Sequence, residues 1–388
     1  DAPNVLLIIL DTVRASSLAF VGDLMPASKW EPIRTPEMEA LAERSVLFTR
    51  AIAPSPWTLP SHASMFTGHW PHRIWSERPP GSGWPESLGP HYPTVAGVLW
   101  RYGYATGGFV GNLAYATAQS GLDRGFVTYR DYPVSAGQIV SSSGIGRTLD
   151  GFGFWRKPLH FYDPLNAKDA EDVADEFLRW QERQEERPFF AFLNFFDAHE
   201  PYPPPDSVRR SLPDGTDWDD FSRNVGLLNG STAWRTEKWD MGPDEQRAHV
   251  AGYHDGILET DEAVGRILRT LGERGALENT VVIVASDHGE HLGEHGLYDH
   301  GNSLYLPLLH VPLMIHDPRR GDEGLRVDQP VSLRHMAATI LDLVGLSAGR
   351  VLIPGSSLAR YWERSDGSGA DPEGAPPAIP PDQLFSLL

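Results

Sequence analysis

Three apolar runs, each followed by an aspartate, constrain the fold of this chain more than any other feature of its sequence. The runs and their aspartates are Asn4–Leu10 with Asp11, Pro188–Phe196 with Asp197, and Thr280–Ser286 with Asp287. A run that is apolar at nearly every position is typical of a strand buried on both faces, as in parallel sheets covered by helices. Since ligands of open α/β sheets bind beyond the carboxyl ends of the strands, the sequence predicts a site at these aspartates.

Helical patterns lie between the predicted strands. Thr35 and Pro36 are typical of a helix start, and that helix is predicted to run towards Arg44. Further helices are predicted over Lys168–Arg187, Asp244–Arg274 and Ser332–Val344. The predicted fold class is therefore α/β, with a large mostly parallel sheet covered on both faces by helices.

The 388 residues are predicted to form one catalytic domain over residues 1–362, with a surface insertion at 202–242. The insertion is rich in Pro, Asp, Ser and Trp and has no hydrophobic period. Residues 363–388 are predicted to be a linker followed by the start of a truncated C-terminal subdomain, because a Gly/Pro/Ser-rich stretch precedes the strand-like Asp382–Leu388.

Composition excludes several classes of function. The net charge of −19 argues against nucleic acid as a partner, since phosphate backbones require a basic surface. The lack of cysteine excludes disulfides, thiolate metal sites and a cysteine nucleophile. The longest apolar run, Val5–Leu10, is too short to span a bilayer. We expect a soluble chain, either cytoplasmic or exported after loss of a leader ahead of Asp1, and the oligomeric state stays open.

A hydroxyl suited to nucleophilic attack lies in Trp57–Gly68 (WTLPSHASMFTG). Pro60 is typical of the first turn of a helix, which places Thr58 at or just before a helix N-terminus, where backbone N–H groups attract anions. A hydroxyl facing strand-end aspartates there can be activated by a metal ion. The alternative is that Thr58 only caps the helix, because Ser and Thr are common caps.

The segment Ser286–His300 (SDHGEHLGEHGLYDH) concentrates carboxylates and imidazoles directly after the third run. Its candidate metal ligands are Asp287, His288, Glu290, His291, Glu294, His295, Asp299 and His300. Such ligands suit Zn, Mn, Mg or Ca, and the histidines favour Zn or Mn. His291, Glu294 and His295 are also candidates for supporting roles. A solvated acidic loop is the alternative, which the position after a buried strand disfavours.

Asp197 and His199 occupy alternate positions after the second run. Because alternate positions of an extended chain project to the same side, both are predicted to reach one ion. A single hydrogen-bonded histidine at a strand end is the alternative.

Together these segments resemble the alkaline phosphatase superfamily, and most closely its sulfatase-like branch. The resemblance extends from residue 4 to about residue 362 and is carried by NVLLIILDTVRA, TPEMEALAERSVLFTRAIAPSPWTLPSHASMFTG, GYATGGFVGN, FFDAHEPYPPP and VVIVASDHGEHLGEHGLYDHGNSLYLPLLHVPLMI. It implies a metal-dependent hydrolase that acts on a small anionic ester substrate.

The resemblance also implies a set of metal ligands. Asp11 matches the ligand that closes the first strand, although sulfatases usually have a second acid where Thr12 stands. Asp287 and His288 match a later pair that is Asp-Asn in many sulfatases. One ion is expected on Asp11, Thr58, Asp287 and His288, and a second on Asp197, His199 and His300. The predicted cofactor is one or two divalent ions, Zn or Mn, with Ca or Mg as alternatives.

Other positions imply contacts with the substrate. His62 replaces the signature arginine, and Asn112 roughly matches a lysine that contacts the substrate anion. His199 resembles the family's active-site histidine, and His300 stands where many sulfatases have a substrate-contacting lysine. With a single metal, His199 and His300 would act as general acid and base or as anion contacts.

Thr58 stands in the nucleophile position of the sulfatase signature C-x-P-S-R, which reads T-L-P-S-H here. Sulfatases convert Cys or Ser into formylglycine, whereas the secondary alcohol of threonine cannot give that aldehyde. Relatives with threonine here include nucleotide phosphodiesterases and lipoteichoic acid synthases, which transfer phosphoryl groups. The predicted activity is therefore cleavage of phosphate (di)esters or phosphonate esters through a phosphothreonine at Thr58.

Three other functions stay open: a sulfatase that works without formylglycine, a phosphoryl-group transferase, and a binding protein on a hydrolase scaffold. The complete strand-end set disfavours the last. Tryptophans are candidates for shaping a pocket for an apolar or sugar-like group, with simple packing as the alternative. They are Trp75, Trp84, Trp218, Trp234 and Trp239.

Overall fold

In the computed structural model, the three apolar runs form adjacent strands of one sheet. The structure describes residues 2–22, 24, 29–75, 87–132, 167–184, 187–200, 202, 242–320, 324–346 and 353–361. The strands are β1 (Asn4–Leu10), β2 (Val46–Phe48), β3 (Ala51–Ile52), β4 (Ala105–Val110), β5 (Thr128–Arg130), β6 (Phe189–Phe195), β7 (Thr280–Ser286), β8 (His291–Leu292), β9 (Tyr298–Asp299), β10 (His310–Val311), β11 (Leu313–His316), β12 (Arg326–Val327) and β13 (Val331–Ser332). The α-helices are α1 (Pro36–Ala42), α2 (Thr58–Thr67), α3 (Pro71–Ile74), α4 (Val95–Arg101), α5 (Ala170–Gln181), α6 (Pro243–Glu273), α7 (Leu306–Leu309) and α8 (Met336–Leu343).

Within these residues, the main sheet has eight strands in the order β12-β2-β11-β7-β1-β6-β4-β5. β11 runs antiparallel to β2 and β7, and the other neighbouring pairs are parallel. Leu10 of β1 is in register with Phe195 of β6 and Ser286 of β7. The carboxyl ends of the three runs therefore lie level with one another, and the predicted mostly parallel α/β sheet is confirmed.

The residues of β1 alternate between two hydrophobic cores, one on each face of the sheet. Val5, Leu7 and Ile9 face a core that includes α2, α4 and α8. The intervening residues face a second core that includes α1, α5 and α6. Because helices cover both faces, a central strand must be apolar at every position, which accounts for the continuous runs.

The predicted helices are present with some changes at their ends. α6 agrees with the predicted Asp244–Arg274 to within one residue at each end. α5 is shorter than the predicted Lys168–Arg187, because Asp169 caps its start by accepting the Asp172 N–H at 2.7 Å. The predicted Ser332–Val344 begins as a 3-10 turn and becomes α-helical only over α8.

Several predictions fall on residues outside the described ranges and remain predictions. They include the insertion at 202–242, apart from Tyr202 and Gly242, the C-terminal segment at 363–388, and Trp84, Trp218, Trp234 and Trp239. Trp75 is described and packs against the core that includes α2. None of the helices in the described ranges has the length and apolar character needed to cross a membrane.

Candidate active site

The ends of β1 and β7 bring three of the predicted metal ligands together. Asp11, Asp287 and His288 are fully buried, and their ligand atoms lie within 4.8 Å of one another. The Nε2 atom of His288 lies 3.6 Å from Asp11 Oδ1 and 3.4 Å from Asp287 Oδ2. His288 Nδ1 donates to the Gly289 carbonyl at 3.0 Å, so Nε2 is the ring nitrogen that is left to face the carboxylates.

Thr58 is the first residue of α2, and its hydroxyl lies beside the same side chains. Its Oγ1 is 3.4 Å from His288 Nε2 and 3.4 Å from Asn112 Nδ2. Ser61 stabilises the helix in this position, because its hydroxyl donates a hydrogen bond to the Asp287 carbonyl at 2.6 Å. The predicted position of Thr58 at a helix N-terminus is confirmed, which places the partial positive charge of the helix start beside its hydroxyl. We call Asp11, Thr58, Asp287 and His288 the strand-end group.

The strand-end group fits a divalent cation. Asp11 Oδ1 and Asp287 Oδ2 are buried and lack a hydrogen-bond partner within the described part of the chain. Burial, together with the neighbouring charge of Asp11, raises the pKa of Asp287 well above its ordinary value. A bound cation would satisfy both oxygens and offset both charges. Carboxylate, imidazole and hydroxyl ligands suit Zn, Mn or Mg.

Two asparagines hold the carboxylate of Asp11. Asn112 Nδ2 donates to Asp11 Oδ2 at 2.9 Å, and Asn194 Nδ2 donates to the same oxygen at 3.2 Å. Asn112 is itself fixed, because its Oδ1 accepts the N–H groups of Ala114 and Tyr115 at 3.1 and 2.9 Å. The structure thus places the predicted substrate contact Asn112 at the strand-end group. Asn194 is a site residue that the sequence patterns do not single out, since its one signal is a polar residue inside the apolar run of β6.

His62 lies behind Thr58, one turn further along α2. Its Nδ1 donates to the Thr58 carbonyl at 2.9 Å and lies 3.4 Å from Asp287 Oδ2. The ring packs edge-on against Phe66 and Phe192, and burial lowers its pKa. Helix backbone and aromatic rings therefore surround His62, and its proposed contact with the substrate anion stays a prediction.

A second set of side chains comes from the loops that follow β6 and β7. His300 Nδ1 lies 2.8 Å from Asp299 Oδ1 and 3.1 Å from Glu290 Oε2. The centre of the His300 ring is 4.8 Å from that of His199 and 4.6 Å from that of His288. We call His199, Glu290, Asp299 and His300 the loop group, and its contact with His288 joins it to the strand-end group.

The two histidines of the loop group have different electrostatic surroundings. His199 stacks on Phe196, its Nδ1 donates to the Glu200 carbonyl at 2.8 Å, and burial and the nearby His300 lower its pKa. Burial alone would also lower the pKa of His300, but its two neighbouring carboxylates outweigh burial and raise that pKa well above the ordinary value. His199 Nε2 is therefore suited to accept a proton and His300 Nε2 to donate one.

The structure does not bring Asp197 together with His199 and His300. Asp197 Oδ1 accepts the Ala170 N–H at 2.9 Å at the start of α5. Its backbone packs against α6 at Gly256, where a Cβ atom would lie 2.1 Å from the Asp197 carbonyl oxygen. Side chains at alternate positions do not project to the same side here, because β6 ends before these residues and the chain turns. Two other carboxylates, from the predicted cluster after β7, lie beside His300 instead.

The remaining candidates of that cluster support the loops. Glu294 Oε1 accepts from Arg14 Nη1 at 2.7 Å in a largely buried ion pair. His291 Nε2 pairs with Ser303 Oγ at 2.7 Å, and the His295 ring lies over Tyr305. These contacts agree with the supporting roles considered for the three residues.

Backbone strain is concentrated at the same place. Among the described non-glycine residues, Thr12, His295 and Asp299 have positive φ angles of 63°, 59° and 63°. Thr12 follows Asp11 and Asp299 precedes His300, so two strained residues are direct neighbours of site residues. Such conformations cost free energy and persist where surrounding contacts enforce them, often at functional sites.

The chain is similar to known proteins both in sequence and in fold. The family model described as Sulfatase matches residues 3–346. An arylsulfatase of Clostridium perfringens (strain 13 / Type A) is 26% identical over 381 residues, covering 89% of this chain and 75% of that protein. Arylsulfatase K of Bos taurus is 26% identical over 386 residues, covering 92% of this chain and 66% of that protein. Among solved structures, the phosphonate monoester hydrolase of Agrobacterium radiobacter superposes with a TM-score of 0.68 and 25% identity, covering 96% of this chain and 79% of that one.

Proposed function

The chain belongs to the sulfatase family of hydrolases, in the alkaline phosphatase-like superfamily, and we propose that it cleaves phosphate (di)esters or phosphonate esters through covalent catalysis at Thr58. Enzymes of this family act on small anionic esters and bind a divalent metal. The proposal has two parts: the group that is transferred contains phosphorus, not sulfur, and the nucleophile that receives it is Thr58.

The observation that carries the proposal is the position of Thr58. Its hydroxyl stands at the start of α2, 3.4 Å from both His288 Nε2 and Asn112 Nδ2, where the sulfatase signature has its nucleophile. Threonine cannot be converted into the aldehyde that sulfatases use, but its hydroxyl can attack phosphorus directly. The similarity to a phosphonate monoester hydrolase over 96% of this chain also supports a phosphorus ester.

In the first step, a phosphoryl or phosphonyl group moves to Thr58. The strand-end group would hold a divalent cation, whose positive charge would lower the pKa of the Thr58 hydroxyl and offset the charge of the ester. With the cation bound, Thr58 would release its hydroxyl proton to solvent, and its Oγ1 atom then forms a bond to phosphorus while the bond to the leaving oxygen breaks. The departing alcohol takes a proton from His300 Nε2. Asn112 Nδ2 and the N–H groups of the α2 start stabilise the equatorial oxygens.

In the second step, water releases the group from Thr58. His199 Nε2 accepts a proton from the water, since Nδ1 is committed to the Glu200 carbonyl. The water oxygen bonds to phosphorus, and the bond to Thr58 Oγ1 breaks so that Thr58 leaves as its alkoxide. The proton gained by His199 then returns through solvent to His300, which gave up a proton in the first step. From a diester the product is a monoester, because the second organic group stays on phosphorus.

Hydrolysis of sulfuric esters is the second candidate function. It is favoured by the curated relatives, which are named as arylsulfatases at 26% identity. For this chain it requires attack on sulfur by Thr58 or by water, without formylglycine.

A panel of matched aryl esters tests the proposal. Phosphate monoester, phosphodiester, phosphonate and sulfate esters of one phenol are compared with added Zn or Mn, and kcat/KM is measured for each. We expect the highest kcat/KM for a phosphorus ester. A sulfate ester that is hydrolysed faster than every phosphorus ester would contradict the proposal.

A further inference from the structure

Glu290 is a buried acidic residue for which the proposed reaction gives no role. It follows His288 by two residues and is completely shielded from solvent. Burying a carboxylate is costly unless it is paired. Its partner in the structure is His300, whose Nδ1 lies 3.1 Å from Glu290 Oε2.

A second carboxylate lies on the same ring nitrogen. Asp299 Oδ1 is 2.8 Å from His300 Nδ1 and also accepts the His300 N–H at 2.7 Å. Pairing of Asp299 with His291 across β8 and β9 holds its strained backbone in place. With two acceptors on Nδ1, the ring of His300 has Nε2 left to face outward.

The His300 ring contacts both these carboxylates and the histidines of the catalytic centre. Its side chain is 12% exposed, whereas Glu290 is not exposed at all. The rings of His288 and His199 also lie beside the His300 ring, at 4.6 and 4.8 Å between ring centres. Two carboxylate oxygens within hydrogen-bond distance of one ring nitrogen restrict rotation of the ring more than either does alone.

We propose that Glu290 is a positioning residue that, together with Asp299, orients His300 so that Nε2 meets the leaving oxygen of the ester. This inference rests on the proposed function for the contact of His300 with the ester, and the geometry behind it, two carboxylates on His300 Nδ1, applies whether the ester contains phosphorus or sulfur. Replacing a residue that orients a site histidine from behind typically lowers activity by about 10–100-fold.

A double-mutant cycle between Glu290 and His300 tests the proposal, with kcat and KM measured on the preferred ester of the aryl panel. We expect Glu290→Ala to lower kcat by about 10–100-fold with little change in KM. Once His300→Ala is present, adding Glu290→Ala should lower kcat no further. Glu290→Gln keeps an oxygen acceptor in place and should retain most of the activity. The exposed Glu171→Ala serves as the matched control and should leave kcat unchanged.

Two results would overturn the inference. Additive losses in the double variant would show that Glu290 acts independently of His300. A fall from two bound metal ions per chain to one in Glu290→Ala, measured by elemental analysis after reconstitution with Zn, would show that Glu290, Asp299 and His300 hold a second ion instead.

The test also separates this inference from the proposed function. If only sulfate esters are turned over, the phosphorus proposal fails and the cycle is measured on a sulfate ester. If no ester is turned over, the same cycle is measured as binding of inorganic vanadate by calorimetry. If Glu290→Ala does not fold, Glu290→Asp replaces it, because the shorter side chain keeps the charge and withdraws it from His300.

Discussion

The strand-end group and the loop group differ in what holds their side chains in place. The strand-end group stands on two seven-residue strands and the ten-residue α2, and its members are at most 1% exposed. The loop group stands on turns and on strands of two residues, and its members orient one another. The scaffold of the domain therefore fixes the first group, whereas local hydrogen bonds fix the second. We expect substitutions in the first to remove the reaction and substitutions in the second to change its rate.

The largest effect is expected from Thr58→Ala. Removing the nucleophile should lower kcat on phosphorus esters by more than about 10⁴-fold, and Thr58→Ser should keep part of the activity because it keeps a hydroxyl. Steady-state kinetics on the aryl panel measures both. Thr67→Ala, in the last turn of the same helix, is the control for damage to α2 and should keep its activity.

A smaller but still large effect is expected from Asp287→Asn. Losing a carboxylate of the strand-end group should lower bound metal and reduce kcat/KM by about 10³-fold, beyond the loss usual for outer residues. Burial and Asp11 raise the pKa of Asp287, so its negative charge destabilises the metal-free fold at neutral pH. In EDTA, Asp287→Asn should therefore melt at the same temperature as the wild type or at a higher one. A lower melting temperature with unchanged metal content would contradict the assignment of Asp287 to the cation.

An intermediate effect is expected from Asn112→Ala. Asn112 belongs to neither group but donates to Asp11 and lies beside Thr58. Loss of one donor to the developing negative charge typically costs about 10²-fold in kcat. Asn279→Ala, at the start of β7 and thus at the opposite edge of the sheet, is the matched control. Equal activity of the two variants would show that Asn112 has no part in stabilising the transferred group.

The smallest effect is expected from His249, which packs behind the loop group against Tyr202 and Tyr298. Burial lowers the pKa of His249 to about 4. Because the unfolded chain binds the proton near the ordinary value of about 6.5, stability falls as the pH drops from about 6.5 to 4, by up to about 3 kcal/mol. Unfolding measured across this range should show a shallower decline in His249→Gln than in the wild type.

His335→Gln is the matched variant for His249→Gln. Burial also lowers the pKa of His335 to about 4, but His335 lies beside α8, where its Nδ1 accepts the Ser356 N–H. His335→Gln should flatten the decline of stability in the same way without affecting catalysis. If His249→Gln and the wild type lose stability in parallel, burial of a neutral His249 does not contribute to acid sensitivity.

The sequence identifies the strand-end group well because most of its members come immediately after long continuous apolar runs. Continuous apolar runs define the strands, strands that lie side by side end at one edge, and Asp11 and Asp287 follow directly. The loop group gives no such signal, since the turn between β8 and β9 decides which of eight candidate ligands converge. The interpretation of Asp197 has the same limit, because alternation of side chains applies only while the strand continues, and its role as a metal ligand stays a prediction.

The most direct test of covalent catalysis at Thr58 is acid quenching of the wild-type enzyme during turnover of an aryl phosphodiester, followed by peptide mass spectrometry. The good leaving group makes the first step fast, so that the covalent intermediate accumulates. We expect a phosphorus-containing adduct on Thr58 that disappears when the substrate is exhausted. Continued turnover in Thr58→Ala, with no adduct on Thr58 in the wild type, would contradict covalent catalysis at this residue.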